Sequence, residues 1–518
     1  MGLFPSTARE NNFAFPPPVQ TRDELLRRYS HRLAIGPKGI SDEQQRWLEV
    51  VFNTFCSQLE STKYWSESDL KDFMQSSLPT EITPFLIDVI PILHRTLLRM
   101  GSFPYQNNPE KLLVLDVLRT ACILFSSEPE DLAGNSYLLV IMFQSMAGLG
   151  SDKAQEDRRP RDEDDDYHLK EALWMVRNRA RDPNNPRVMI SGPENPPPSH
   201  FPSSWSKNFD QSIPTGDFRS FLRLMTFLNL YHSRANFSNL SAWCLQVEKV
   251  TDCMLAVFQP SATEITWNNF SQVIENHMPT LLRGIYQPLG PFASIKPLPQ
   301  EGSLSADEMR AILQEASIRS PQREIPSSAN ILSPPILSQL DIILPHYILP
   351  QNISISWSER GDQLDLNKLR HQIPIQTPSV LLVSGRDENQ DVIFGLFEPK
   401  GSEDEMIKPF MAQLAPLHRV FHPLSGTAEC SILLDQAGGS PTLTGQLISS
   451  EYENASALPD QLESQQCIAR LVVCGNSGHF TLSNDASIDE HFHVNAIELL
   501  KSDLVEDCGY SSDGNGHT

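Results

Sequence analysis

Positive charge is scarce in this chain: 41 Lys and Arg stand against 64 Asp and Glu, for a formal net charge of -23. Non-specific binding to DNA or RNA depends on clustered Lys and Arg, so that class of function is excluded. No run of about 18 apolar residues occurs, so no helix is expected to span a membrane. The first residues lack a basic stretch leading into an apolar core, which predicts no secretory signal. No C-x-x-C pair occurs among Cys56, Cys122, Cys244, Cys253, Cys430, Cys467, Cys474 and Cys508. Scattered thiols in a long chain predict reduced cysteines in the cytosol, not a disulfide framework. Glycine is modest at 25 residues, whereas 40 prolines predict long loops and connectors. With 40% apolar and 20% charged residues, a sizeable core is expected, divided by length into roughly three domains.

Residues 1–40 read as a leader. Met1-Gly2-Leu3-Phe4-Pro5-Ser6 fits the pattern for N-myristoylation, in which Gly2 takes the acyl chain. One such chain gives only marginal membrane binding. Arg22, Arg27, Arg28, Arg32 and Lys38 supply one candidate second signal, and a membrane-bound protein partner is the other.

Residues 41–290 read as a helical domain. Ser41 with Gln44 makes a capping box, and Trp47, Leu48, Val51, Phe52, Phe55 and Leu59 follow at helical spacing. Ser66 with Asp69 opens a second helix carrying Leu70, Phe73 and Met74. Asn108-Pro109 caps a third, residues 131–147 add a fourth, and apolar helical pattern returns at 218–230 and 243–258. Two inserted loops are expected: the acidic 151–166 and the Pro- and Asn-rich 182–206, with a helix over 167–180 between them. Ile265 to Phe270 precedes a helix over 271–277, a strand-then-helix order that resembles the second half of a degenerate EF-hand. Residues 259–270 hold one carboxylate, Glu264, and no glycine, so calcium is not expected there.

Residues 291–335 read as a Pro- and Ser-rich linker with a short helix begun by Ser305 and Glu308. Residues 336–502 change to short strands bounded by turn residues, with a brief helix at Leu364 to Leu369, and predict an antiparallel sandwich. Residues 503–518 are polar, glycine-rich and without core capacity, which predicts a disordered tail. The expected class is therefore α+β.

The C-terminal segment carries the most informative motifs. Val392-Ile393-Phe394-Gly395-Leu396-Phe397-Glu398 is followed by Ser425-Gly426-Thr427-Ala428-Glu429-Cys430-Ser431, then Cys474-Gly475-Asn476-Ser477-Gly478-His479-Phe480, then Ile497-Glu498-Leu499-Leu500. That order resembles the TLDc domain of the oxidation-resistance proteins, with its F-G-x-F strand, G-T-G-E-C-F strand, glycine-rich turn and closing strand with an acidic residue. Gly395, Gly426, Thr427, Glu429, Cys430, Gly475 and Gly478 are the matching positions. The sequence departs from the pattern at Ala428, where the family has glycine, and in the short segment Ser483 to Glu490, where the family has a longer loop. With the helical N-terminal half and the acylation pattern, the chain is most similar to the fungal restriction-of-telomere-capping group of TLDc proteins. The resemblance implies an EF-hand-like helical domain before a TLDc-like sandwich. It also implies non-enzymatic binding to the vacuolar or lysosomal V-ATPase, an effect on pump assembly, and a link to oxidative-stress resistance. No catalytic residues, cofactor or metal ligands carry over. The expected setting is cytoplasmic, partly peripheral on a vacuolar or endolysosomal membrane.

Two other readings stand beside that one. Glu429 beside Cys430 is a candidate redox or catalytic pair, but a neighbouring carboxylate raises a thiol pKa, and adjacent strand residues face opposite sides. The second is a membrane-tethered signalling scaffold. His491 and His493 share a strand face and could bind zinc with Cys474 or His479, yet no third ligand is defined, so no metal is expected. Gly475 and Gly478 read as a tight turn needing positive φ, with no following helix to make a phosphate loop.

Overall fold

The computed structural model describes residues 42–78, 80–102, 112–125, 136–147, 181–182, 185–189, 212–232, 240–258, 263–281, 307–309, 311–312, 329–344, 353–373, 377–387, 390–399, 409–421, 427–437, 440–450, 465–474, 476–482 and 489–502. Gly2 and the leader, the acidic insert, the helix expected over 167–180, Gly426, Gly475 and the tail lie outside these residues.

The N-terminal half is helical. Helix α1 spans Asp42–Phe55 and ends where a small hairpin begins, strands β1 (Ser57–Leu59) and β2 (Thr62–Tyr64). Leu59, expected on the helix face, therefore sits on this hairpin and is 54% exposed. Helix α2 (Glu67–Ser77) starts with the expected capping box: Ser66 Oγ accepts from Asp69 N, and Asp69 Oδ2 accepts from Ser66 N at 2.7 Å. Then come α3 (Thr83–Leu86), α4 (Ile90–Gly101), α5 (Leu115–Phe125) and α6 (Ser136–Ala147). Strands β3 (Arg181–Asp182) and β4 (Asn185–Met189) pair where only loop was expected. Strand β5 (Ser212–Pro214) leads into α7 (Thr215–His232), and α8 (Leu240–Val257), β6 (Glu264–Thr266) and α9 (Trp267–His277) complete this half.

One arrangement repeats four times in these helices. Trp65, Leu113, Ile213 and Ile265 are fully buried, and each lies two residues before the first residue of a helix. They pair two by two: Trp65 bridges Leu113 antiparallel, and β5 pairs β6 with Ile213 opposite Ile265. Single extended residues that pair across two loops leave little sequence signal, and the sequence pointed to Ile265 alone. Around Trp65 the packing is aromatic. Its ring stacks on Phe52 at 5.9 Å, meets Phe73 at 5.0 Å, and its Nε1–H donates to Phe52 O.

Helix α10 (Pro334–Ile343) corrects the expected linker and the expected strand texture from 336 onward. All ten of its residues are buried, because it lies between the helical half and the sheet. Strand β7 (Ile353–Arg360) and helix α11 (Leu366–Gln372) follow. The remaining strands are β8 (Ser379–Arg386), β9 (Asp391–Glu398), β10 (Phe410–Ala415), β11 (Arg419–Phe421), β12 (Thr427–Ala437), β13 (Ser440–Ser450), β14 (Gln465–Cys474), β15 (Ser477–Leu482) and β16 (Asp489–Ser502). Seven of these nine, β8, β9 and β12 to β16, match short apolar runs within 336–502; β10 and β11, like β7, are additional.

The strands form a single antiparallel sheet in the order β11-β10-β9-β8-β16-β15-β14-β13-β12, with β7 also paired to β16. The sheet folds back over itself. Phe394 of β9 stacks on Phe480 of β15 at 4.5 Å, and Gly445 of β13 faces the Leu396 side chain. The two apolar layers of a sandwich thus come from one continuous sheet. Its other side shares a core with the helices, in which Val380, Phe397, Phe410 and Leu500 join residues of α7, α8 and α10. The architecture is α+β with antiparallel sheets.

Candidate functional site: the seam between helices and sheet

A set of buried polar side chains lies along the seam where α10 and the segment before it meet the sheet. Glu498 stands in the apolar run Ile497-Glu498-Leu499-Leu500 of β16 and is fully buried. Its carboxylate accepts backbone N–H bonds from Asn330, from Ile331 at 2.9 Å and from Leu332 at 2.7 Å, and a hydroxyl bond from Ser358 at 2.9 Å. Asn330 is fixed in turn: its Nδ2 donates to Ser358 Oγ at 2.6 Å, and Arg360 Nε donates to its Oδ1 at 2.7 Å. A buried carboxylate without partners would be costly, and these donors compensate it. Residues 330–332, expected as linker, are thereby bound to the sheet.

His418 is the second node, also fully buried. Its Nδ1 lies 3.3 Å from Gln339 Nε2 on α10, and its Nε2 lies 3.1 Å from His277 O at the end of α9. A Gln amide only donates through nitrogen, so Nδ1 accepts and Nε2 carries the proton. The backbone N–H of His418 donates to Cys253 O on α8 at 3.1 Å, and Val420 N–H donates to His277 Nδ1 at 3.1 Å. Burial holds the His418 pKa down at about 4; the nearby His277 adds to this, and the bond to the His277 carbonyl opposes it. Helix α10 is held from both sides. Ser338 Oγ donates to Thr226 O, Thr280 Oγ1 donates to Asp341 O, and Gln339 Nε2 donates to Leu414 O.

The motif positions fall elsewhere. Gly395 lies in β9 opposite Ala412 and Leu382. Thr427, Glu429 and Cys430 lie in β12, with Glu429 opposite Ile448 and Cys430 opposite Leu447. Gly478 corrects an expectation: it lies inside β15 and has no positive φ. A Cβ there would sit 2.4 Å from the Phe492 ring, so the glycine admits that ring and makes no turn. Cys467 and Cys474 belong to one strand, about 23 Å apart at its usual rise, too far for a bridge. His491 and His493 are both exposed, as their shared face implies, but the residue opposite His491 is His479.

Two described thiols are displaced away from reactivity. Burial pushes Cys122 up to about 12. Burial, helped by Asp252, pushes Cys253 up to about 11. Four residues beyond the buried pairing residues Trp65, Leu113, Ile213 and Ile265 stand Asp69, Val117, Asp217 and Asn269. The Asp69 carboxylate is taken by Ser57 and Ser66, and Asn269 Nδ2 donates to Phe258 O.

Glu498 was legible as an acid inside an apolar strand; its backbone donors were not, because they lie more than 160 residues earlier. His418 and Gln339 had no sequence signal. No family model matches the sequence, and no curated protein matches it.

Proposed function

We propose that this chain is a non-enzymatic regulator of the TLDc type, with an EF-hand-like helical domain docked on a TLDc-like sandwich. It acts by binding a protein partner, the vacuolar or lysosomal V-ATPase, and by altering pump assembly, with a consequence for oxidative-stress resistance. Its setting is the cytoplasm and, through acylated Gly2, the periphery of a vacuolar or endolysosomal membrane. Among the described residues no helix is long and apolar enough to cross a membrane.

The observation that carries the reading is how the buried polar side chains are used. Glu498 and His418 are occupied by backbone groups and an amide that join helices to sheet, and Cys122 and Cys253 are pushed away from the thiolate form. Burial keeps these two thiols from the accessible thiolate that redox chemistry needs. The net charge of -23 suits a partner with basic patches. The test is purification of the chain from cells with partners identified by mass spectrometry. Pump subunits in the eluate support the proposal. Their absence, together with peroxide consumption by the pure protein that Cys430→Ala abolishes, sinks it.

A further inference from the structure

On the exposed side of β15 and β16, His479 and His491 are directly opposed in the antiparallel register. Their imidazoles stack with centroids 4.1 Å apart and planes within 2°. Asp489 precedes His491 by two residues on β16, so both side chains leave the same face. Its Oδ1 contacts Nε2 of His479 and lies 3.8 Å from Nε2 of His491. One donor atom from each of the three residues falls within 4.8 Å of the others, and among the described residues no second group of His, Cys, Asp and Glu converges in this way.

We propose that His479, His491 and Asp489 form a surface site for a divalent transition cation of the zinc class. Two imidazole nitrogens and one carboxylate oxygen suit zinc, copper(II) or nickel(II), whereas calcium and magnesium take oxygen donors. Zinc bonds of 2.0–2.1 Å at a tetrahedral centre place neighbouring donors about 3.3 Å apart. The His491–Asp489 separation is half an ångström longer.

Parallel rings aim their Nε2 lone pairs alongside one another, so the rings must tilt together to converge on an ion. Side-chain exposures of 37% for His479 and 71% for His491 leave room for that rotation. A carboxylate only accepts, so Nε2 of His479 now presents a proton to Asp489, and the cation takes the place of that proton. The backbone beneath is fixed, since Phe480 and Phe492 are buried on the opposite face of the same strands. Three protein donors leave one position to solvent or to a side chain of another molecule. The sequence suggested His491 with His493, joined by Cys474 or His479. The strand register sets His479 beside His491, and Asp489 takes the place expected of His493.

The proposal is independent of the partner-binding reading. It is tested on the full-length chain, free of tag histidines and stripped with a chelator, then titrated with Zn2+ alone against a chromogenic zinc indicator. One Zn2+ per chain is expected. Affinity is expected to fall about tenfold or more in His479→Asn, His491→Asn and Asp489→Asn, and to stay at the wild-type level in His493→Asn. Cu2+ loaded at one equivalent should show nitrogen hyperfine structure from two imidazoles, reduced in His491→Asn. Each metal-free variant is checked by its melting temperature, and His479→Gln replaces His479→Asn if the latter does not fold. No Zn2+ uptake by the wild type, or wild-type affinity in His491→Asn or Asp489→Asn, overturns the site and leaves a hydrogen-bonded His–Asp pair.

Discussion

The carboxylate of Glu498 accepts the backbone N–H of Leu332 at 2.7 Å across 166 residues of chain. One side chain thus ties the entry to α10 to the middle of the sheet, through bonds that a neutral replacement cannot reproduce. In Glu498→Gln the amide nitrogen must face at least one of the three backbone donors. The expected cost is about 3 kcal/mol, combining a lost charged acceptor with a buried unpaired N–H. Urea unfolding of variant and wild type measures it. An unchanged midpoint would show that the bonds to Ile331 and Leu332 hold nothing in place.

The seam should respond to acid through His418. Its folded pKa is lowered to about 4 from an ordinary value of 6.5. Between those values the unfolded chain binds a proton that the folded chain refuses, so stability rises with pH there. The contribution is fully present above about pH 6.5 and lost as pH falls toward 4, on the order of 3 kcal/mol in total. His418→Gln should flatten the stability profile across that window while lowering stability at pH 7. A wild-type profile already flat from pH 6.5 to 4.5 would contradict the assignment.

Phe492 should tolerate no added carbon on either side. A Cβ at Gly478 would lie 2.4 Å from its ring, and one at Gly385 would lie 2.2 Å from Cδ2 and 2.6 Å from His493 O. Both clashes lie in paired strands, so relief requires movement of the ring or of the sheet. Gly478→Ala and Gly385→Ala should each cost about 1–3 kcal/mol, with Gly385→Ala the worse because backbone is involved. Combining either with Phe492→Leu should recover part of the loss at the side-chain contact and little of it at the carbonyl. Thermal melts of the four single and double variants read the pattern.

Membrane attachment should depend on Gly2. Acylation of its amine supplies a weak anchor, so Gly2→Ala should move the protein from a mixed distribution to the soluble fraction of a cell lysate. Intact mass of the native protein reads the acyl group directly. An unmodified amine would defeat the proposal.

Sequence reading succeeded where the information is local. Ser66 and Asp69 are three residues apart and close the capping box they suggested, and runs such as Val380 to Val383 are strands. It failed at α10, because Pro334-Pro335 looked like connector. Proline is at home in a helix's first turn, and a helix buried on every side shows no polar face by which its period could be recognised. Strand β10 was missed for a similar reason: Phe410 to Leu414 is buried throughout and does not alternate. The meeting of His479 with His491 and Asp489 could not be seen because it requires the register of β15 on β16, which no single strand encodes.

Strand β16 has β8 along one side and β15 and β7 along the other, and it carries Glu498. During synthesis the helical half is complete in the nascent chain by Leu281, while the sheet must wait for residue 502 to leave the ribosome. Until then β7 and β8 have no central neighbour, and residues 330–332 have no carboxylate to bind. A product stalled or truncated before β16 would therefore leave β7 and β8 with open strand edges toward other chains.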